Sequence, residues 1–272
     1  MLNTISPVDN QICSSNKQLS NNQINKIIND SVDSQKIWED ISLNERIDIM
    51  NNFLKEIENK KEFICNRLSI EMGRPIRYCY GEIKGLKERA NYMISIAKKY
   101  LNAEIIHCDS EVTKKIQRVP LGVILIIPAW NYPYLTSINS LITALLSGNS
   151  VIFKGSSQTP SVGEIYKTCL LNAGLPFNVF NNLYLDHNTT GLLVSDNRIN
   201  SVAFTGSVKG GQIISNRANN HTNFGINLEP SIGFKPTVLE LGGKDAAYVR
   251  EDADLEFSAS EIAGGTFFNS GI

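Results

Sequence analysis

Leu121-Gly122-Val123-Ile124-Leu125-Ile126-Ile127 is the stretch that decides the fold. From Val123 on it is apolar without interruption, and four of those five residues are β-branched. A strand with one wet face alternates apolar and polar residues. A run without alternation suits a parallel strand covered on both faces. With Pro128-Ala129 it forms the longest apolar run of the chain, too short to cross a bilayer and broken by Gly122 and Pro128.

Downstream of this run, short apolar stretches alternate with helical periodicity. Strands are predicted near 150–153, 183–185, 201–204, 238–241 and 246–249, and helices near 136–147, 161–173, 189–195 and 209–218. That alternation is the pattern of an α/β fold, a doubly wound parallel sheet of Rossmann-like type. Upstream, residues 112–119 alternate and predict an exposed strand. The first hundred residues read as amphipathic helices. Ile24, Ile27, Ile28 and Val32 recur at helical spacing, and Ser42 with Glu45 forms a capping box. Further helices are predicted over 62–72 and 80–100, the first stopped by Gly73 and Pro75. The expected organisation is an N-terminal helical segment over 1–110, a dinucleotide-binding domain over 111–244, and the start of a further domain over 245–272.

A parallel sheet of this kind binds ligands beyond the carboxyl ends of its strands, and polar, glycine-rich segments fall there. They are Pro128-Ala129-Trp130-Asn131-Tyr132-Pro133, Lys154-Gly155-Ser156-Ser157, Phe204-Thr205-Gly206-Ser207-Val208-Lys209-Gly210-Gly211, and Glu240-Leu241-Gly242-Gly243-Lys244. Each alone has a plain structural explanation: a packed loop, a helix cap, a salt bridge of Glu240 with Lys244. Gly206-Ser207 before Gly210-Gly211 is not the usual dinucleotide fingerprint. Small residues at a strand-to-helix turn do let backbone amides and the helix dipole meet a phosphate.

The 272 residues carry 26 Lys+Arg against 27 Asp+Glu, a net charge of −1 that gives no electrostatic reason to expect nucleic acid or an anionic membrane as partner. The start of the chain lacks the basic and apolar regions of a signal peptide, so a cytoplasmic location is expected. Cys13, Cys65, Cys79, Cys108 and Cys169 form no C-x-x-C pair, and reduced thiols are expected, Cys169 in the core. His107, His187 and His221 are scattered, and no metal site is expected.

Taken together and in order, the four motifs resemble the aldehyde dehydrogenase superfamily. The resemblance runs over about 31–272, with Glu240-Leu241-Gly242-Gly243-Lys244 its strongest part. Tyr132-Pro133-Tyr134-Leu135-Thr136 and Phe267-Phe268-Asn269-Ser270-Gly271 resemble the large NAD(P)-dependent group that oxidises aldehydes to carboxylic acids. The resemblance implies NAD or NADP as cofactor, a small-molecule aldehyde as substrate, a homo-oligomer built through an arm, and roles for particular residues. Asn131 would donate to the oxyanion of the intermediate. Glu240 would activate water, a task suited to a carboxylate raised by partial burial. Lys154 would bond the adenosine ribose, and Gly206, Ser207 and Gly211 would form the pyrophosphate turn. Trp130 would line the nicotinamide side. Ser157 stands where NAD-preferring members carry a glutamate, so NADP is expected to bind at least as well as NAD.

Three departures bear on this. Pro128 stands one place early relative to Trp130. Residues 224–236 read as an inserted surface loop. At Ile272 the family has a glutamine, two residues short of its nucleophilic cysteine. The chain is therefore expected to be an N-terminal portion with the catalytic domain missing, exposing apolar surface and inactive by itself. The competing reading is a dinucleotide-binding or oligomerisation remnant. A reductive relative acting on an acyl phosphate or thioester fits less well, because it needs no water-activating Glu240.

Overall fold

The computed structural model describes residues 1–220 and 222–269. His221 and the Ser270-Gly271-Ile272 end of the last motif lie outside the described residues. The elements run β1 (Leu2–Ile5), β2 (Ile12–Asn16), α1 (Asn21–Asp40), α2 (Leu43–Asn59), α3 (Lys61–Met72), α4 (Ile76–Leu101), β3 (Glu104–Cys108), β4 (Thr113–Ile116) and β5 (Val123–Ile127). They continue α5 (Pro133–Leu146), β6 (Ser150–Phe153), α6 (Ser161–Asn172), β7 (Phe180–Asn182), α7 (His187–Ser195), β8 (Ser201–Gly206), α8 (Val208–Asn219), β9 (Thr237–Leu241) and α9 (Leu255–Phe267).

Five strands form one sheet in the order β7-β6-β5-β8-β9. Every pairing in it is parallel. The apolar run read first is β5, at the centre and buried along its whole length. Its pleat divides the core. Ile124 and Ile126 join one apolar cluster with residues of α2 to α6, while Val123, Leu125 and Ile127 join another with residues of α1, α7 and α8. Alternate side chains of a strand point to opposite faces, so an unbroken apolar strand needs helices on both. Burying each such side chain stabilises the fold by about 1.5–3 kcal/mol.

The start of β5 is fixed by polar groups. Asn149 Oδ1 accepts from the amides of Leu121 and Gly122, and Asn200 Oδ1 from that of Val123. Gly122 sits at φ 122°, where a Cβ would lie 2.2 Å from Asn200 Oδ1. On the helical side, Trp38 Nε1 donates to Leu145 O and Gln35 Nε2 to Gly148 O, tying α1 to the end of α5.

Several sequence expectations need correction. The N-terminal segment is not helical throughout, because β1 and β2 pair antiparallel before α1 begins. That hairpin is short and polar, and its buried positions are Thr4 and Ser6, so no apolar alternation announces it. The strand expected over 183–185 is β7, three residues earlier, and the segment over 246–249 forms no regular element. The exposed strand expected over 112–119 is β4, one arm of an antiparallel hairpin with β3. Residues 224–236 form an irregular loop, yet Ile226 and Lys235 are buried. Ile226 joins the second apolar cluster. Lys235 Nζ donates to Val194 O and Asp196 O at 2.5 and 2.7 Å, closing the end of α7. Cys169 lies in α6, in the core, as expected.

Candidate cofactor and active site

The chain passes from β5 outward to β6 and β7 on one side, then returns to place β8 and β9 on the other. The reversal leaves a crevice at the carboxyl ends of β5 and β8, where such sheets receive ligands. Asn131 follows β5, and Gly206-Ser207 ends β8. Pairing registers align Ile127 with Phe204 and Phe204 with Leu239, and set Thr205 beside Glu240. Phe153 pairs with Ile126, and the amide of Lys154 donates to Ile126 O. Lys154 and Glu240 thus end strands three inter-strand spacings apart, about 14 Å. The structure sets them along one sheet edge without contact between them.

The pleat sorts these residues by face. Leu239 packs with the cluster that holds α7 and α8, so Glu240 points to the opposite face, shared with α5 and the Asn131 turn. Phe153 belongs to the α5 side, so Lys154 falls on the face of α7 and α8. The residues predicted for catalysis lie on one side of the sheet edge together with Trp130, while Lys154 and the Gly206-Ser207 turn, predicted for the cofactor, lie on the other.

On the cofactor side, Lys154 is 7% exposed and its ammonium has no hydrogen-bond partner among the described residues. Burial lowers its pKa, while the carboxylate of Asp186 acts in the opposite direction. Ser207 caps α8, its hydroxyl accepting from Gly210 N at 3.1 Å. Among the described residues the amides of Val208 and Lys209, at the first turn of α8, have no acceptor. A Cβ on Gly211 would lie 2.4 Å from Leu241 Cδ2, so α8 approaches the end of β9 closely there. Gly242 N donates to Gly206 O, joining the two turns. Ser157 is exposed, and its carbonyl accepts from Thr4 Oγ1 at 2.6 Å. Gln158 Nε2 donates to Ile5 O at 3.2 Å. The unforeseen N-terminal hairpin is therefore clipped onto the turn beyond β6.

On the other face, Asn131 Oδ1 accepts from Tyr132 N at 3.1 Å. Its Nδ2 has no acceptor among the described residues, so its hydrogens remain available. Trp130 is 39% exposed beside it. The Asn131 carbonyl accepts from Arg74 Nη2 at 2.5 Å and Asn269 Nδ2 at 2.9 Å. Arg74 is fully buried. It is ion-paired with buried Glu82, bonded through Nε to Asn269 Oδ1, and stacked 4.3 Å from the Tyr132 ring centre. Glu82 in turn accepts from the amides of Tyr134 and Leu135, at the start of α5. Burial pushes the Glu82 carboxyl up, and Arg74 and those two amides pull it down. Arg74, Glu82 and Asn269 escaped the sequence reading. The available signals were a charge on the buried face of α4, an arginine between Gly73 and Pro75, and an asparagine in the last motif.

Glu240 is exposed and, among the described residues, makes no ion pair, so neither the partial burial nor the Lys244 salt bridge is present. Cys108 is exposed on β3, and the other four thiols are not poised for attack. Burial pushes Cys65 up to about 12, Cys79 to about 11 and Cys169 to about 12, and raises Cys13. Among the described residues no group of three or more His, Cys, Asp or Glu is placed to hold a metal ion, and no helix is long and apolar enough to cross a membrane.

A parallel sheet with helices on both faces, a capped turn after β8 and a buried lysine after β6 make an α/β fold of the class that receives nucleotides at its strand ends. The chain belongs to the aldehyde dehydrogenase family, whose sequence pattern matches residues 1–272. It is 28% identical over 268 residues to the D-glyceraldehyde dehydrogenase (NADP(+)) of Thermoplasma acidophilum, covering 98% of this chain and 52% of that protein. It is 30% identical over 260 residues to the NADP-dependent glyceraldehyde-3-phosphate dehydrogenase of Streptococcus equinus, covering 93% and 52%. Among solved structures, the NADP-dependent glyceraldehyde-3-phosphate dehydrogenase of Bacillus halodurans C-125 complexed with NADP superposes with a TM-score of 0.86 at 30% identity, over 99% of this chain and 55% of that one. The chain spans about half the length of the relatives it matches.

Proposed function

We propose that this chain is the cofactor-binding portion of an NAD(P)-dependent aldehyde dehydrogenase, and that it binds NAD or NADP without turnover of its own. The observation that carries the reading is Lys154 at the carboxyl end of β6, a side chain only 7% exposed whose ammonium has no hydrogen-bond partner among the described residues. Sinking the stem of a lysine this deeply is costly unless something answers its charge at the surface, and a ribose hydroxyl would do so. The residues fit a dinucleotide. Lys154 would hold the adenosine ribose, with Ser157 beside it. Ser207, Gly206 and Gly211 would form the turn at which the free amides of α8 meet the pyrophosphate. Trp130 would flank the nicotinamide, which when bound accepts a hydride from the substrate. On the opposite face, Asn131 would donate to a developing oxyanion and Glu240 would take a proton from water. In the complete reaction an aldehyde is oxidised to a carboxylic acid.

That reaction needs a thiolate; Cys13, Cys65, Cys79 and Cys169 have raised pKa values and do not supply one, and Cys108 stands on the exposed β3–β4 hairpin, outside the sheet that carries the candidate residues. This supports binding without turnover for the chain as it stands. The domain division at 110 and 244, a cytoplasmic location and homo-oligomerisation through the β3–β4 hairpin belong to the same reading. Titration of NADH and NADPH, followed by quenching of tryptophan fluorescence, tests it. Both are expected to bind, Lys154→Ala to weaken both at least tenfold, and aldehydes to yield no reduced cofactor. Absence of binding, or an unaffected Lys154→Ala variant, would overturn the proposal.

A further inference from the structure

The turn that joins β6 to α6 has little of its own to fix its shape. Within it, Thr159 N donates to Ser156 O and Gln158 N to Ser156 Oγ, each at 3.2 Å, and α6 starts at Ser161 without a side-chain cap. Ordering each residue of such a turn costs conformational entropy, so distant elements must hold it, and two do. From the N-terminal hairpin, the buried Thr4 donates through Oγ1 to Ser157 O at 2.6 Å. From the end of α3, Glu71 Oε2 accepts from Ser161 Oγ at 2.9 Å. The Glu71 side chain is fully buried, and Arg67 Nη2 steadies its other oxygen at 2.6 Å.

Gln158 joins the two. Its Nε2 donates both to Ile5 O on β1 and to Glu71 O on α3, so the two hydrogens of one amide reach two different elements. Hairpin and α3 also meet directly. A Cβ on Gly73, just past α3, would lie 3.1 Å from Pro7 Cγ. The hairpin, the end of α3 and the turn beside Lys154 therefore close into one corner, with Gln158 at its centre.

We propose that Gln158 is a positioning residue of the candidate cofactor site, and that through it occupancy of the site is coupled to docking of the N-terminal hairpin. The inference rests on the cofactor reading above. A cofactor that orders the turn holds Gln158 against the hairpin. A docked hairpin presents the turn already ordered, which lowers the cost of binding. Such coupling is reciprocal.

The test is hydrogen exchange with and without NADPH, together with titration of NADH and NADPH. Gln158→Met removes both donors at similar volume, Thr4→Val removes the other clip, and Thr4→Ser keeps it. Neither position belongs to an apolar cluster, so the variants are expected to fold. Without cofactor, Gln158→Met should speed amide exchange over residues 2–16 about fivefold, the scale of one hydrogen bond. Thr4→Val should do the same over 155–161. Saturating NADPH should slow exchange over 2–16 in the parent and fail to do so in Gln158→Met. Gln158→Met and Thr4→Val should each weaken NADH and NADPH by about fivefold without changing their ratio, while Thr4→Ser binds as the parent does. If the hairpin of Gln158→Met exchanges as the parent's does, or if NADPH binds the parent and leaves its hairpin unprotected, the inference fails while the cofactor reading stands. If neither cofactor binds the parent, the cofactor reading fails and takes the inference with it.

Discussion

Glu82 and Arg74 are buried and paired, and between them they touch everything that fixes the Asn131 turn: its carbonyl, Asn269, the Tyr132 ring and the first amides of α5. Breaking a buried pair by removing one partner strands a charge and costs about 3–5 kcal/mol. Arg74→Met is expected to destabilise the chain by that amount, and Arg74→Met with Glu82→Met by less than the sum of the single changes. Urea denaturation checks both, and a loss below 1 kcal/mol for the single variant would remove the pair from its anchoring role. Lys235 makes the second prediction at this scale. Burial pushes it down to about 8, Asp196 pulling the other way. Between that pH and its ordinary value of 10.5 the unfolded chain keeps a proton that the folded chain has lost. The unfolding free energy should therefore rise with pH across that window, by about 3 kcal/mol. Taking the difference between the parent and Lys235→Met removes the tyrosine titrations common to both, and parallel curves would contradict the assignment. The strand-end turns that carry the candidate residues Asn131, Lys154 and Ser207 were legible. Arg74 and Glu82 were not, because a charge on a buried helix face looks like any charge on an amphipathic helix until its partner is known.

Elements were legible in proportion to how far their packing is written into local periodicity. β5 declares itself because both its faces are buried, and α2 because Ser42 and Glu45 satisfy each other's backbone across its first turn. The two hairpins lack such signals. β1–β2 buries little apolar surface, and β3–β4 is exposed along both strands, so neither shows the one-sided alternation that marks a half-buried strand. The segment over 246–249 shows the converse failure. Ala246-Ala247-Tyr248-Val249 has strand composition but no neighbouring strand to pair with, and Tyr248 is 88% exposed. The start of β5 is sensitive to a single backbone change. Gly122→Ala would put a methyl where Asn200 Oδ1 now accepts from Val123 N, in a backbone region that alanine rarely adopts. We expect a loss of about 2 kcal/mol or more, read by urea denaturation. Asn200→Ala should cost a smaller amount, because it removes the hydrogen bond without straining φ. Equal losses would show that the bond alone matters.

At the scale of the whole molecule, the sheet is covered by helices on both faces, yet apolar surface remains on several segments, the β3–β4 hairpin, β9 and α9 among them. The β3–β4 hairpin exposes Ile105 at 65%, Ile106 at 58% and Ile116 at 51%. The outer strand β9 exposes Val238 at 56%. Helix α9 exposes Leu255, Phe257 and Phe267 at more than 60% each and buries no residue at all. The residues that follow α9 are nonetheless tied to the Asn131 turn, because Phe268 packs 4.5 Å from the Tyr78 ring and Asn269 bonds the Asn131 carbonyl. α9 therefore leads into that turn while its sides stay open. An exposed hairpin with isoleucines on both strands is a template for pairing with another strand, and contiguous apolar surface of this kind marks association. The chain is expected to self-associate through β3–β4, with a sedimentation mass above that of a single chain at micromolar concentration. Ile105→Lys with Ile116→Lys should shift it toward the monomer without lowering its melting temperature, since both positions lie outside the two core clusters. If the double variant sediments as the parent does, association runs through β9 or α9. Val238→Lys on the open sheet edge would then be the change that dissociates it.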